Sequence, residues 1–335
     1  MPRSVPLDPS RGPRLRAAYA APGPLEPLDD DVLTAVVFGA DTPCPQDPRV
    51  LRIDLEPVAG SARVELWRGG GRARMGTAGP IRHVEDGNHF AGWLNIDESR
   101  VGGILEAAEA AYLGLLRLQA DSPYRHVWRV WNFMTGINEG QGDEERYRQF
   151  CLGRARAFAA IGGMTSVIGY PAAAAVGRQG GPRSLQVCWF AGREPGTAIE
   201  NPRQVSAYHY PRSYGPAAPS FSRAMVAPGP LFLISGTSSI VGHASLHEGD
   251  LDAQLRETLV NIDALMHRAH AAGHLASPRL GADSLVKAYV RRGGDAAQVE
   301  RGLRSHFGPD VPTMILAADI CRSELLVEIE VIHGG

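Results

Sequence analysis

The order of apolar runs along this 335-residue chain predicts an α+β protein made of two similar halves. Two observations predict it. Short β-branched or apolar runs, bounded by Gly and Pro, alternate in each half with two longer stretches of helical periodicity. Each half also runs in the same order: a few strands, a long helix, a strand, a second helix, then closing strands. The expectation is a mixed sheet in each half with its helices packed on one face. The halves share no obvious identity, so the repeat rests on element order alone.

Taken along the chain, residues 1–28 are dense in Pro and Arg and read as an irregular arm. Strands are expected at Val32 to Phe38, Val50 to Leu55 and Arg63 to Trp67, with Gly69-Gly70-Gly71 as a hairpin turn, since no lysine or GxGxxG pattern makes it a phosphate cradle. Ile104 to Leu118 reads as a helix with Leu105, Ala108, Tyr112, Leu115 and Leu116 on one face. His126 to Met134 is a strand whose Trp128, Trp131 and Phe133 belong to a core, and Tyr147 to Ala160 is helical. Strands at Thr165 to Ile168 and Leu185 to Phe190 close this half. The Gly- and Pro-rich stretch 177–182 reads as a linker, dividing the chain into 29–180 and 181–335.

In the second half, strands are expected at Val205 to Tyr210, Ser222 to Val226 and Leu231 to Ser235. Asp250 can cap a helix carrying Leu251, Leu255, Leu259, Ile262 and Met266 as one stripe. A strand at Leu285 to Val290, a helix at Ala296 to Ser305, and strands at Thr313 to Ala317 and Leu325 to Ile332 complete the pattern.

Composition narrows the function classes. Apolar residues make up 44% and charged residues 21%, and 34 Lys plus Arg nearly balance 36 Asp plus Glu, so no broad field points to nucleic acid or membrane. Within the basic residues the bias is extreme, because Lys287 is the only lysine. Cys44, Cys151, Cys188 and Cys321 are scattered without CxxC spacing, which argues for reduced cytoplasmic thiols and against zinc. His209, His243 and His247 match no standard metal spacing, and no run approaches the roughly 18 apolar residues of a spanning helix.

Two resemblances sharpen the reading. Residues 214–224, Leu231 to Gly236, Glu257 to Ile262 and Val327 to Glu330 resemble in order the segments of YjgF-type reactive-intermediate deaminases. A closer likeness spans nearly the whole chain. Arg129 to Asn138, Tyr147 to Ala155, Asn201-Pro202 with His209-Tyr210-Pro211, Lys287 to Arg292 and Asp319 to Arg322 are similar to the chorismatase family. That resemblance implies two YjgF/chorismate-mutase-like halves, cleavage of chorismate with release of pyruvate, and no cofactor or metal. It leaves a monomer of two internally matched domains, or a homotrimer. Within the family, Gly236 in Ile234-Ser235-Gly236 and Cys321 in Asp319-Ile320-Cys321 look like the 3-hydroxybenzoate-forming subgroup, whereas hydrolytic members have Ala at both. Hydrolysis to a dihydroxylated diene, a mixed 3-/4-hydroxybenzoate synthase, an enamine or imine deaminase, and a non-catalytic metabolite-binding module stay open.

The chemistry needs a carboxylic acid held protonated near neutral pH, because the proton goes to carbon. The resemblance implies Glu328 in that role. Alternation along the last strand puts Glu328 and Glu330 on one face, roughly 7 Å apart, and Val327, Ile329 and Val331 on the other; Glu330 is expected to be structural. Cys321, seven residues earlier, is expected on a neighbouring strand after a tight reversal, and the resemblance implies that its thiol contacts the ring hydroxyl or shapes the space beside it, without covalent chemistry. The missing methyl of Gly236 is expected to let the ring settle differently. Arg154, Arg223 and Arg291 are expected to bind carboxylates as bidentate forks, and Tyr210 and Tyr214 to hydrogen-bond a carboxylate or the departing keto group.

Overall fold

The first half begins with five short strands, of which only Val32–Phe38 is buried along its whole length. In the computed structural model, which describes residues 14–21, 28–43, 46–60, 62–162, 168–229 and 231–334, these are β1 (Arg16–Ala20), β2 (Val32–Phe38), β3 (Val50–Ile53), β4 (Pro57–Ala59) and β5 (Val64–Arg68). Next come β6 (Arg74–Ala78), β7 (Ile81–Glu85), β8 (His89–Asp97), α1 (Ile104–Ala120), β9 (His126–Thr135), α2 (Arg146–Ala160), β10 (Ala172–Arg178) and β11 (Ser184–Gly192). The second half holds β12 (Thr197–Ile199), β13 (Ala224–Ala227), β14 (Leu231–Thr237), β15 (Ile240–Val241), β16 (Ala244–Ser245) and α3 (Leu251–Ala271). It ends with β17 (Ser284–Val290), α4 (Ala296–Phe307), β18 (Thr313–Ala317), β19 (Asp319–Ile320) and β20 (Val327–His333).

The expected repeat is present in the wiring. Among the described residues one mixed sheet runs β19-β10-β9-β11-β8-β7-β6 and the other β12-β13-β14-β20-β17-β18-β4. In each, a strand–helix–strand–helix–strand run is followed by a closing strand inserted antiparallel at the centre: β11 between β8 and β9, β20 between β14 and β17. Helices α1 and α2 cover the first sheet and α3 and α4 the second. The inner faces of both sheets, with the small sheet β1-β5-β2-β3, enclose a third core containing Trp128, Trp131 and Phe133. Asp250 caps α3 as expected, its side chain accepting from Ala253 N.

Several expectations need correction. Arg16–Ala20, placed in an irregular arm, is a strand paired with β5; residues 1–13 and 22–27 lie outside the described ones. The strand expected at Thr165 to Ile168 also lies outside them, except Ile168 in a turn. Residues 177–182 are not a linker between halves, because they join β10 to β11 and both strands flank β9. The chain leaves the first sheet only after Gly192. The halves also exchange edges: β4 extends the second sheet and β19 the first. Val205 to Tyr210 is not a strand but an irregular segment with a 3-10 turn at Ala207–His209. The residues leading into it are held from α3, where Asn261 O accepts from the Asn201 side chain and Glu257 from the Arg203 guanidinium.

Candidate active site

β20 lies at the centre of its sheet, and its alternation has physical meaning. Val327, Ile329 and Val331 pack under α3 and α4. Glu328 and Glu330 face the opposite way, against the first half, and are 4% and 2% exposed. That face is not solvated, because another sheet covers it. The two carboxyls differ in company. Glu330 accepts from Lys287 Nζ at 2.9 Å, from Trp131 Nε1 at 3.0 Å, and pairs with Arg129. Oε1 of Glu328 has no hydrogen-bond partner among the described residues. Burial pushes the Glu328 carboxyl up to about 8, helped by the charge of Glu330 and opposed by Arg129 and the Ser238 hydroxyl. Burial would raise Glu330 too, but its cations and hydrogen bonds outweigh it and hold that carboxyl below the usual range.

Beside the acid the sheet is irregular. The β14–β20 register shifts between Ile234 and Thr237, so Ser235 and Gly236 form a bulge next to Glu328. A Cβ on Gly236 would lie 2.3 Å from Oε1 of Glu328. The missing methyl therefore makes room first for the acid itself, a different role from the substrate clearance expected from sequence.

Cys321 arrives by a route the sequence did not suggest. β19 does not pair with β20; it crosses to the first sheet, with Ile320 opposite Val176. A turn closed by Leu325 N donating to Arg322 O then returns the chain to β20. Cys321 and Glu328 thus meet across a cavity rather than on adjacent strands. Burial pushes the thiol strongly up, with the Glu328 charge adding, so it stays a neutral thiol at neutral pH.

That cavity, about 370 Å³, opens between the halves. From α2 come Tyr147 and Arg148; from the segment before β13 come Tyr210, Tyr214, Phe221 and Arg223; Gly236, Ser238, Cys321, Arg322 and Glu328 complete its inner wall. A small annex of about 30 Å³ shares Tyr147, Phe221, Gly236, Cys321 and Glu328 and is closed by Arg154. Such a volume holds about one water.

The guanidinium groups decide what the cavity attracts. Arg154 is 3% exposed, lies over Phe150 and Tyr112, has an unpartnered Nε, and has no carboxylate partner among the described residues. Arg223, also buried, donates to Tyr210 Oη at 2.6 Å and to Val205 O; its charge acts on the nearby Glu200 carboxyl, but it forms no salt bridge among the described residues. Arg322 stacks on Tyr214 at 4.0 Å and donates to His243 O and Ser245 Oγ. Sequence reasoning quoted Arg322 within the Asp319 to Arg322 string but gave it no role. Arg291 is the opposite case and a correction. It donates to Leu325 O, Asn138 Oδ1, Ile320 O and Arg322 O and pairs with Asp319 at 2.9 Å, outside the cavity. Its donors are spent holding the 319–325 turn that carries Cys321. Cations left unpaired around a buried carboxyl suit a small dianion. The three histidines stand apart: His243 reaches Tyr214, His247 reaches Glu257, and His209 lies against Tyr208.

Comparison with known proteins fits this geometry. A family profile described as chorismatase FkbO/Hyg5-like, N-terminal, matches residues 65–191, a span that ends on β11. A Streptomyces hygroscopicus protein named 3-hydroxybenzoate synthase is 37% identical over 292 residues, 83% of this chain and 84% of that one. The chain belongs to the chorismatase family. A chorismatase from Streptomyces rapamycinicus is 34% identical over 278 residues, covering 79% of this chain and 80% of its own. A solved chorismatase crystal structure superposes with a TM-score of 0.82 at 28% identity, over 96% of this chain and 98% of that chain. Both halves of this family member are therefore covered, with the cavity between them.

Proposed function

We propose that this chorismatase converts chorismate to 3-hydroxybenzoate and pyruvate in the cavity between its halves. The observation that carries the reading is Glu328, a buried carboxyl held protonated up to about pH 8, facing a cavity lined by Arg223 and Arg322, with Arg154 in its annex, none of the three in a salt bridge among the described residues. One substrate carboxylate goes to Arg154 at the inner end and the other toward Arg223 and Arg322 at the mouth. Tyr210, placed by Arg223, and Tyr214, placed by Arg322, offer hydroxyls to a carboxylate or to the keto oxygen of pyruvate.

Glu328 delivers its proton to the methylene carbon of the enolpyruvyl group, giving an oxocarbenium ion. The neighbouring ring hydroxyl displaces the enolpyruvyl oxygen, which leaves as the keto oxygen of pyruvate. The epoxide so formed opens to the phenol, a proton is lost, and the Glu328 carboxylate takes one back. The atoms of the two products are those of chorismate, with no water added. Gly236 and Cys321 support this branch over hydrolysis: the first lets the acid sit deep in the wall, and the second fills the space beside it with a neutral thiol. The Streptomyces hygroscopicus relative named 3-hydroxybenzoate synthase points the same way.

The test is incubation of the purified protein with chorismate in water enriched in oxygen-18. Pyruvate with unlabelled 3-hydroxybenzoate is the expected result. A dihydroxylated diene, itself unlabelled because water adds to the oxocarbenium carbon and leaves in pyruvate, would move the protein to the hydrolytic subgroup, and intact chorismate would remove the activity claim.

A further inference from the structure

The carboxyls of Glu328 and Glu330 stand two residues apart on one strand face, roughly 7 Å by strand rise, yet all the cations there have gone to Glu330. Those cations belong to a larger buried set. Lys287 Nζ lies 2.9 Å from Glu330 and 2.6 Å from Glu65, which in turn accepts from Trp67 Nε1 at 2.7 Å. Arg129, donating also to Ile234 O, completes it. Two cations and two carboxylates balance, all of them 2% exposed in a low-dielectric core. The set draws on β5, β9, β17 and β20, so three sheets fix the position of one carboxylate. It also holds the only lysine in the chain. A compact ammonium fits between two carboxylates where a planar fork would not.

We infer that Glu330 is a positioning residue for the acid: a permanently ionised neighbour, clamped by Arg129 and Lys287, that keeps the proton on Glu328. The inference rests on the proposed role of Glu328 and adds the device that sustains it. Buried like charges at this spacing cannot both ionise cheaply, and the member holding the cations is the one that ionises.

Other groups face the pair as well. Around Glu330 these are Tyr19, Cys188 and Tyr289, all neutral at neutral pH. Against Glu328 stand Tyr289 across the strand, Ser238 and the neutral Cys321. Across the cavity, Arg148 is paired with Glu145, and Arg322 shares the wall with Glu324. Arg154 and Arg223, the latter acting on Glu200, also border the cavity, and Arg129 is the cation that favours the ionised acid. Glu330 is the charge that opposes it from within the strand.

The experiment compares pH profiles of kcat/KM with chorismate, and an infrared titration of the protonated Glu328 carboxyl, assigned by its loss in Glu328→Gln. The charge-balanced Lys287→Met/Glu330→Gln variant is expected to move the alkaline midpoint down by roughly one pH unit or more. Glu330→Gln alone, which leaves an extra cation beside the acid, moves it further the same way. Glu65→Gln/Lys287→Met removes as much of the network but keeps Glu330 paired with Arg129, and leaves the midpoint where the wild type has it, whatever the rate. Equal midpoints in all four proteins, or equal movement in both double variants, would overturn the inference. The infrared titration needs no substrate. A wild type inert toward chorismate would therefore sink the activity while the carboxyl titration still judged the role of Glu330.

Discussion

Gly236 and Glu328 are in contact across a bulge: a methyl on the glycine would lie 2.3 Å from the carboxyl oxygen of the acid. The atom displaced is the end of a flexible side chain, so the fold can absorb the change while the carboxyl moves. Gly236→Ala is expected to alter stability by only about 1 kcal/mol or less and to lower kcat by roughly ten-fold. Thermal melting and product chromatography check both halves, and a variant with wild-type rate and products would show that the acid tolerates the shift.

Glu328→Gln keeps the shape of the protonated carboxyl and removes its acidity. Its expected loss is on the order of a thousand-fold in kcat, in the middle of the range for general acids, with little change in Tm. Turnover within a few-fold of wild type would move the proton donor elsewhere.

The raised carboxyl also has a thermodynamic signature. Glu328 binds its proton more tightly folded, at about 8, than unfolded, near the ordinary value of 4.5. The folded state therefore holds an extra proton between those values, and this contribution to stability is complete at low pH and is lost as pH rises from about 4.5 to about 8. Glu330, shifted the other way, contributes stability above its unfolded value and loses it on acidification. Denaturant melts across this range should show a decline with pH in wild type that Glu328→Gln flattens. The kcat/KM profile should be flat below about 8 and fall above it.

Arg154 and Arg291 should separate cleanly. Arg154→Lys loses the fork in the cavity annex, and a roughly 10- to 100-fold drop in kcat/KM is expected with the fold intact. Arg291→Ala breaks the Asp319 pair and strands three carbonyls, costing about 2–4 kcal/mol of stability. Steady-state kinetics beside chemical denaturation would expose a reversed pattern.

Cys321 lines the cavity but holds its proton, so iodoacetamide at pH 8 should label it slowly. Cys321→Ala should keep chorismate cleavage and admit some diene. Complete loss of cleavage would assign the thiol a chemical step.

Much of this molecule is local physics and can be read from the chain. Helical periodicity located α1 and α3, and alternation put Glu328 and Glu330 together because side-chain direction in a strand depends only on parity. Elements with weak local signals were missed: β10 is mostly alanine, and β8 carries Gly92 where a Cβ would strike the Trp189 ring. What alternation cannot say is what faces each side. Solvent against Glu328 would have made it an ordinary carboxylate; the first half's sheet covers it and makes it an acid. Arg154 and Arg291 read alike as arginines in familiar strings, and only the cavity between the halves leaves one unpaired while the 319–325 turn consumes the other. The crossing of β19 to the far sheet, which delivers Cys321, is a non-local pairing with no local code. The sequence determined the elements, the parity of the acid strand and the family-like strings. The tertiary structure decided which charges were left without partners, because burial and ion pairing are properties of neighbours distant in the chain.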